Sequence, residues 1–302
     1  MLAAVFGVLV GLVMPIQTSA NSRLRLTLGS PFQASLVSFV VGLGALLAAV
    51  MAIDGHLPPL SAALHMPAWI WSGGVLGVVV LTGNIFLFPR LGSVQTVVLP
   101  VTGQVIMGLL IDHVGLFGAP VHRLDALRVL GAVLLIAGVL GTMVRPGQRL
   151  LGGHSSGVSL WGWRAAGVVF GMFSAAQTAI NGQLGVAFGS AVGAALVSFA
   201  FGVVTLLAIN LALRNRLAPG APAGPWWMWI GGFLGAMFVF GNAFLSPLIG
   251  TGLTVMTILL GLMAGSLLID HFGLLGAHRK PVTWLQALGL LLMLAGVAVI
   301  RL

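Results

Sequence analysis

Apolar runs of membrane-crossing length alternate with short polar breaks along the whole chain, near 2–21, 33–53, 67–88, 94–111, 126–144, 164–181, 192–212, 226–246, 252–269 and 284–300. A bilayer core roughly 30 Å thick is crossed by about 20 residues of α-helix, so the pattern predicts ten membrane-spanning helices. Several runs contain Gly and the first contains Pro15. These would weaken a soluble helix but are tolerated in lipid, where neighbouring helices re-satisfy the freed backbone groups. The longest break covers 145–159. The first run could pass for a signal-peptide core, yet no Lys or Arg precedes it and a matching segment recurs at 166–181. It is therefore read as a structural helix.

The runs repeat. At an offset of 160 residues Gly7, Gly11, Gln17, Thr18, Asn21, Leu24, Gly29 and Ser30 recur as Gly167, Gly171, Gln177, Thr178, Asn181, Leu184, Gly189 and Ser190. After a two-residue deletion the offset is 158. Gly83-Asn84, Pro89, Gly92, Gly103 and Ile111-Asp112-His113 then recur as Gly241-Asn242, Pro247, Gly250, Gly261 and Ile269-Asp270-His271. The chain divides into two homologous five-helix units, 1–150 and 151–302. An odd number of helices per unit makes tandem copies enter the membrane from opposite sides, so the expected fold is an all-α membrane protein of two inverted repeats.

Charge placement tests that topology. Loops after the odd-numbered helices carry Arg23, Arg25, Arg90, Arg145, Arg149, Arg164, Arg214, Arg216, Arg279 and Lys280, while the other side has Arg123, Arg128 and Arg301. The basic residues have also moved between copies: Arg23 and Arg25 align with Gln183 and Gly185, and Arg214 and Arg216 with Asp54 and His56. The positive-inside rule puts the arginine-rich side in the cytoplasm and both termini outside.

Composition narrows the function. With 59% hydrophobic and 6% charged residues, the chain cannot cover a water-facing surface, and lipid must be its solvent. The net charge of +9 is spread over short loops without a stacking aromatic patch, which argues against nucleic acid. There is no cysteine, no His-Glu-x-x-His and no phosphate-binding loop. No enzyme, metal or cofactor is therefore expected; His154-Ser155-Ser156 is read as solvated loop.

Polar residues within the spans are the candidate chemistry. Gln17 and Asn21 lie four apart on one helix face, as do Gln177 and Asn181. Either they bond neighbouring helices and fix packing, or they line a central cavity and bind substrate from both units. Asn84 and Asn242 each follow a glycine and precede a proline by five residues, where either they cap a local helix break whose freed backbone groups bind substrate, or they are satisfied structural asparagines. Asp112-His113 and Asp270-His271 close the fourth and ninth helices, either as polar helix ends or as a titratable gate. Trp69, Trp71, Trp226, Trp227 and Trp229, near helix starts, fit interfacial anchors better than an aromatic substrate box.

Gln17 and Asn21 in the first helix, Gly83-Asn84 in the third and Ile111-Asp112-His113 after the fourth resemble the YdcZ-like family of the drug/metabolite transporter (DMT) superfamily, in a fused two-copy form. The resemblance covers essentially the whole chain. It implies relatives such as the small multidrug resistance proteins, antiparallel dimers of four-helix subunits, and it implies export. Those proteins are similar to one another in having a glutamate in the first helix; helices 1 and 6 here have no acid, so that exchange chemistry does not carry over. The expectation is a secondary transporter in a bacterial inner membrane, moving a small polar or weakly charged solute by alternating access and working as a monomer. A passive channel and a non-transporting membrane subunit are the alternatives.

Overall fold

The structure, a computed structural model, describes residues 2–143, 158–214, 224–276 and 279–301, and it is helical without a strand among them. Arg145, Arg149, His154-Ser155-Ser156 and Arg216 lie outside the described residues.

The first span runs over Leu2–Leu28 as two helices, α1 (Leu2–Leu12) and α2 (Met14–Leu28), parted at Val13. Pro15 has no N–H to donate to the Gly11 carbonyl one turn earlier, which accounts for the interruption. α3 (Pro31–Ile53) opens on a proline, and the single-turn α4 (Ser61–Leu64) leads to α5 (Gly73–Val114). α6 (Ala126–Met143) closes the first unit. The second unit holds α7 (Val158–Phe188), α8 (Ala191–Ala212), α9 (Gly231–Ile249), α10 (Thr251–Phe272) and α11 (Trp284–Arg301).

Among the described residues seven helices or helix segments are long and apolar enough to cross a membrane: Leu2–Leu28, Pro31–Ile53, Gln95–Val114, Ala126–Met143, Ala191–Ala212, Trp226–Ile249 and Thr251–Phe272. Gly73–Gly83 and Trp284–Ile300 are shorter apolar stretches. The predicted span at 164–181 lies inside α7, whose 31 residues are long enough but include Arg164, Gln177, Asn181 and Gln183. The third and fourth predicted spans fall within one run of 42 helical residues, α5, in which Leu87 and Leu99 both pack on Gly167 of α7, so the run turns back on itself between them. The equivalent stretch of the second unit is split between α9 and α10 at Gly250, whose φ of 83° suits glycine and ends the helix.

The units meet through small residues. α5 lies along α7 and α1 along α10, and the approach is so close that a methyl group on Gly171 would overlap the Pro100 carbonyl, and one on Gly11 the Ile258 carbonyl. α6 and α11 cross antiparallel, with Gly131 against Gly296 and Ile300 and Gly138 against Gly289 and Met293. α3 and α8 also cross antiparallel: Gly42 sits on Phe199, Gly202 sits on Phe39, and the two rings stack at 4.7 Å. In lipid, where apolar burial gives no drive to associate, such close backbone approach supplies the packing energy. The main core joins α5, α6, α7, α10 and α11 around Val105, Leu135, Met256 and Met293.

Candidate functional site

The four amides of the first and sixth predicted helices point across the unit boundary. The Asn181 carbonyl oxygen lies against the α-carbon of Gly73 at the start of α5, and the Gln177 amide against Gly77 one turn on. Asn21 and Gln17 make the same approach to Gly231 and Gly235 at the start of α9. The oxygens of Asn21 and Asn181 are buried and have no hydrogen-bond partner among the described residues. Asn181 is 1% exposed. These amides therefore sit in helix seams and not on an open cavity wall, and two of them hold an unanswered acceptor, which is costly in a low-dielectric interior.

One turn away, equivalent positions differ. On α7 the buried Thr178 hydroxyl donates to the Asn242 carbonyl oxygen at 3.0 Å, and the Asn242 amide donates to the Phe238 carbonyl at 2.9 Å. Asn242 is thus a hydrogen-bonded asparagine, the second of the two readings, and the break falls at Gly250. The Asn84 side chain lies outside the described residues. On α2 the exposed Thr18 hydroxyl donates only to the Met14 carbonyl of its own helix.

Beside Thr18 lies a cavity of about 560 Å³. One wall is the face of α2 carrying Thr18, Ser19, Ser22, Arg23 and Leu26. The facing wall is Pro225 and Trp227 ahead of α9, with Leu275 in the turn after α10. The equivalent place in the other half is filled. Phe117, the counterpart of Leu275, meets Trp69 edge-on at 5.2 Å, and Gln183, the counterpart of Arg23, lies against Gly118. Gly182 fits so closely to Ser246 that a β-carbon there would stand 3.0 Å from the serine Cβ. Of the tryptophans expected at the interface, Trp226 and Trp229 are exposed, whereas Trp69, Trp71 and Trp227 pack inward.

Asp112 is fully buried at the end of α5 and accepts the Thr251 N–H at 2.7 Å and the Gly252 N–H at 2.9 Å. It therefore caps the amino end of α10, a helix of the other unit, where unpaired N–H groups and the helix dipole favour a carboxylate. Arg128 stands 4.0 Å from the same carboxylate. His113 and His271 do the same job in the two units, accepting the N–H of Leu124 at 2.9 Å and of Val282 at 3.2 Å on Nδ1. The carbonyls of Asp112 and Asp270 likewise accept the N–H of His122 and Lys280, each at 2.7 Å. The four residues thus tie down the turns after α5 and α10.

Sequence reasoning missed the Thr178–Asn242 bond, the capping of α10 by Asp112 and the cavity beside Arg23. Thr18 and Thr178 stood in the repeat alignment, but as threonines that bond their own helix they carry no signal of a partner 64 residues away. Among the described residues no group of three or more His, Asp or Glu side chains is placed to hold a metal.

A solved structure titled as a crystal structure of a protein has the same fold: TM-score 0.67, 17% identity, covering 99% of this chain and 94% of that one. No curated protein matches the chain. Two regions, 2–141 and 162–299, each match the model of the DMT family described as "Putative inner membrane exporter, YdcZ". Helices of membrane length, a twice-repeated unit and two matches spanning nearly the whole sequence place the chain in the YdcZ-like exporter family, as a protein carrying the family's unit twice.

Proposed function

We propose that this protein is a secondary transporter that moves a small polar or weakly charged solute by alternating access between two inverted five-helix repeats. Ten helix segments cross the membrane in this reading, with α5 supplying two, the arginine-rich side cytoplasmic and both termini outside. The antiparallel crossings of α6 with α11 and of α3 with α8 support inversion, since equivalent helices that run in opposite directions are related by an axis in the membrane plane. Such a pair of repeats has two arrangements of nearly equal energy, each obtained by exchanging the conformations of the halves. Export is the direction the family description supports, and a single chain with both repeats is sufficient as the working unit.

The observation that carries the proposal is the inequality of equivalent faces. The cavity beside Thr18 and Arg23 is open, while the matching face of α7 is closed by Thr178–Asn242, Gln183–Gly118 and Trp69–Phe117. In the opposite state the α7 face opens and the α2 face closes. Gln17, Asn21, Gln177 and Asn181, with Asn84 and Asn242, then present their amides to solute as the seams part. The unpartnered oxygens of Asn21 and Asn181 support this role, because a solute donor would satisfy them. Asp112, His113, Asp270 and His271 act as the gate hinges that hold the turns.

Proteoliposomes loaded with unlabelled solute and assayed for uptake of the labelled form test the reading. Saturable counterflow is expected. Flux that rises linearly with concentration would indicate a channel, and no flux with any solute would point to a structural subunit.

A further inference from the structure

The cavity beside α2 has a chemistry that the repeat does not duplicate. Its α2 wall carries Ser19, Ser22 and Arg23, where the other unit has Ala179, Gly182 and Gln183. One half of the molecule therefore keeps a hydroxyl-lined, cationic recess at the position where the other half is neutral and packed. Among the described residues no carboxylate lines the recess. The Arg23 guanidinium is exposed and has no hydrogen bond or ion pair among the described residues. The Ser22 hydroxyl is exposed and likewise unpartnered. The opposite wall is apolar, and Trp227 is fixed there by packing among Leu24, Leu28, Ala34, Val37 and Met228.

These walls select their occupant. A guanidinium with spare donors favours a carboxylate or phosphate oxygen, which accepts charge-assisted and bidentate bonds. The indole face favours an apolar or aromatic body. Thr18 and Ser19 donate their protons to the Met14 and Pro15 carbonyls and so offer the cavity only lone pairs. The volume of about 560 Å³ lies within the range of small-molecule sites, roughly 300–1,000 Å³.

We propose that this recess binds an amphipathic organic anion, with Arg23 holding the acidic head, Ser22 donating a further hydrogen bond and Trp227 covering the apolar body. The inference rests on the transport reading only in naming the occupant as the transported solute; the site itself stands without it. Arg23 has a neutral counterpart, so the anion is held on the Arg23 side and loses its counter-charge once the α7 face opens. That difference favours loading from the arginine-rich side and release on the other.

The test uses the full-length protein in detergent, with benzoate, hexanoate and indole-3-acetate as probes and their amides as neutral controls. Carboxylates should raise the melting temperature and the amides should not. Arg23→Gln, which installs the residue that the other unit tolerates, should weaken carboxylate binding about tenfold or more. Arg23→Lys should retain much of it, and Arg25→Gln should leave it unchanged. Phosphatidylglycerol nanodiscs form a second arm. If only the anionic lipid stabilises the protein in an Arg23-dependent way, the occupant is a lipid headgroup and the anion site stands.

Equal shifts with carboxylates and amides, or equal weakening by Arg23→Gln and Arg25→Gln, would overturn the site. Arg23-dependent binding without counterflow would keep the site and reject the transporter. Counterflow of neutral solutes alone, untouched by Arg23→Gln, would do the reverse.

Discussion

Asp112 shows how much a single residue does here. Its carboxylate receives two backbone N–H groups from α10 and stands 4.0 Å from Arg128. Asp112→Asn keeps the shape but removes the charge and one acceptor, so stability should fall by roughly 1.5–3 kcal/mol, measured as thermal unfolding in detergent. Glycines divide just as sharply. Gly171→Ala would drive a methyl group into the Pro100 carbonyl, which is backbone and cannot yield, and should cost about 1–3 kcal/mol. Gly44→Ala meets nothing within 4 Å in mid-α3 and should be neutral or stabilising by about 0.5–1 kcal/mol in the same assay.

At the level of elements, Thr18 of α2 and Thr178 of α7 hold equivalent places in the repeat and bond differently. Thr178→Val removes the donor to Asn242 and leaves a buried amide oxygen unanswered, at a cost of roughly 1–3 kcal/mol, whereas Thr18→Val, exposed and bonded only to its own helix, should be nearly silent. Paired melting curves of the two variants decide this. The antiparallel α6–α11 crossing has a direct test because the chain has no cysteine. Gly131→Cys paired with Ile300→Cys should cross-link readily, and Gly131→Cys paired with Met293→Cys should not. Cross-linking in the second pair alone would mean the helices run parallel.

For the whole molecule, the natural absence of cysteine also permits labelling from each side of the membrane. Ser22→Cys on the open face should react rapidly with an impermeant maleimide from the arginine-rich side. Ala179→Cys, 1% exposed on the packed face, should resist until a solute cycles the protein. Equal reactivity of both from one side would contradict the two-state reading. The 42-residue α5 belongs to this scale too: straight, it would extend about 63 Å, twice the bilayer core, but Leu87 and Leu99 both pack on Gly167, which a straight run does not allow, so the run turns back on itself.

Much of this was legible in the linear chain because its solvent is lipid. Apolar length alone marks a membrane helix, and a fixed offset between copies marks a repeat, so the helical class, the two units and the family followed from residues such as Gln17, Gly83-Asn84 and Ile111-Asp112-His113. Side-chain pairing was not legible. Thr178 finds Asn242, Asp112 finds the amino end of α10, and Arg23 finds a recess walled by Trp227, each through contacts between distant segments that no local pattern encodes. Nor does the repeat alignment say which copy of a face is packed and which is open. A symmetric sequence permits both arrangements, and only the tertiary structure, by filling one gap with Phe117 and Gln183 and leaving the other beside Arg23, selects between them.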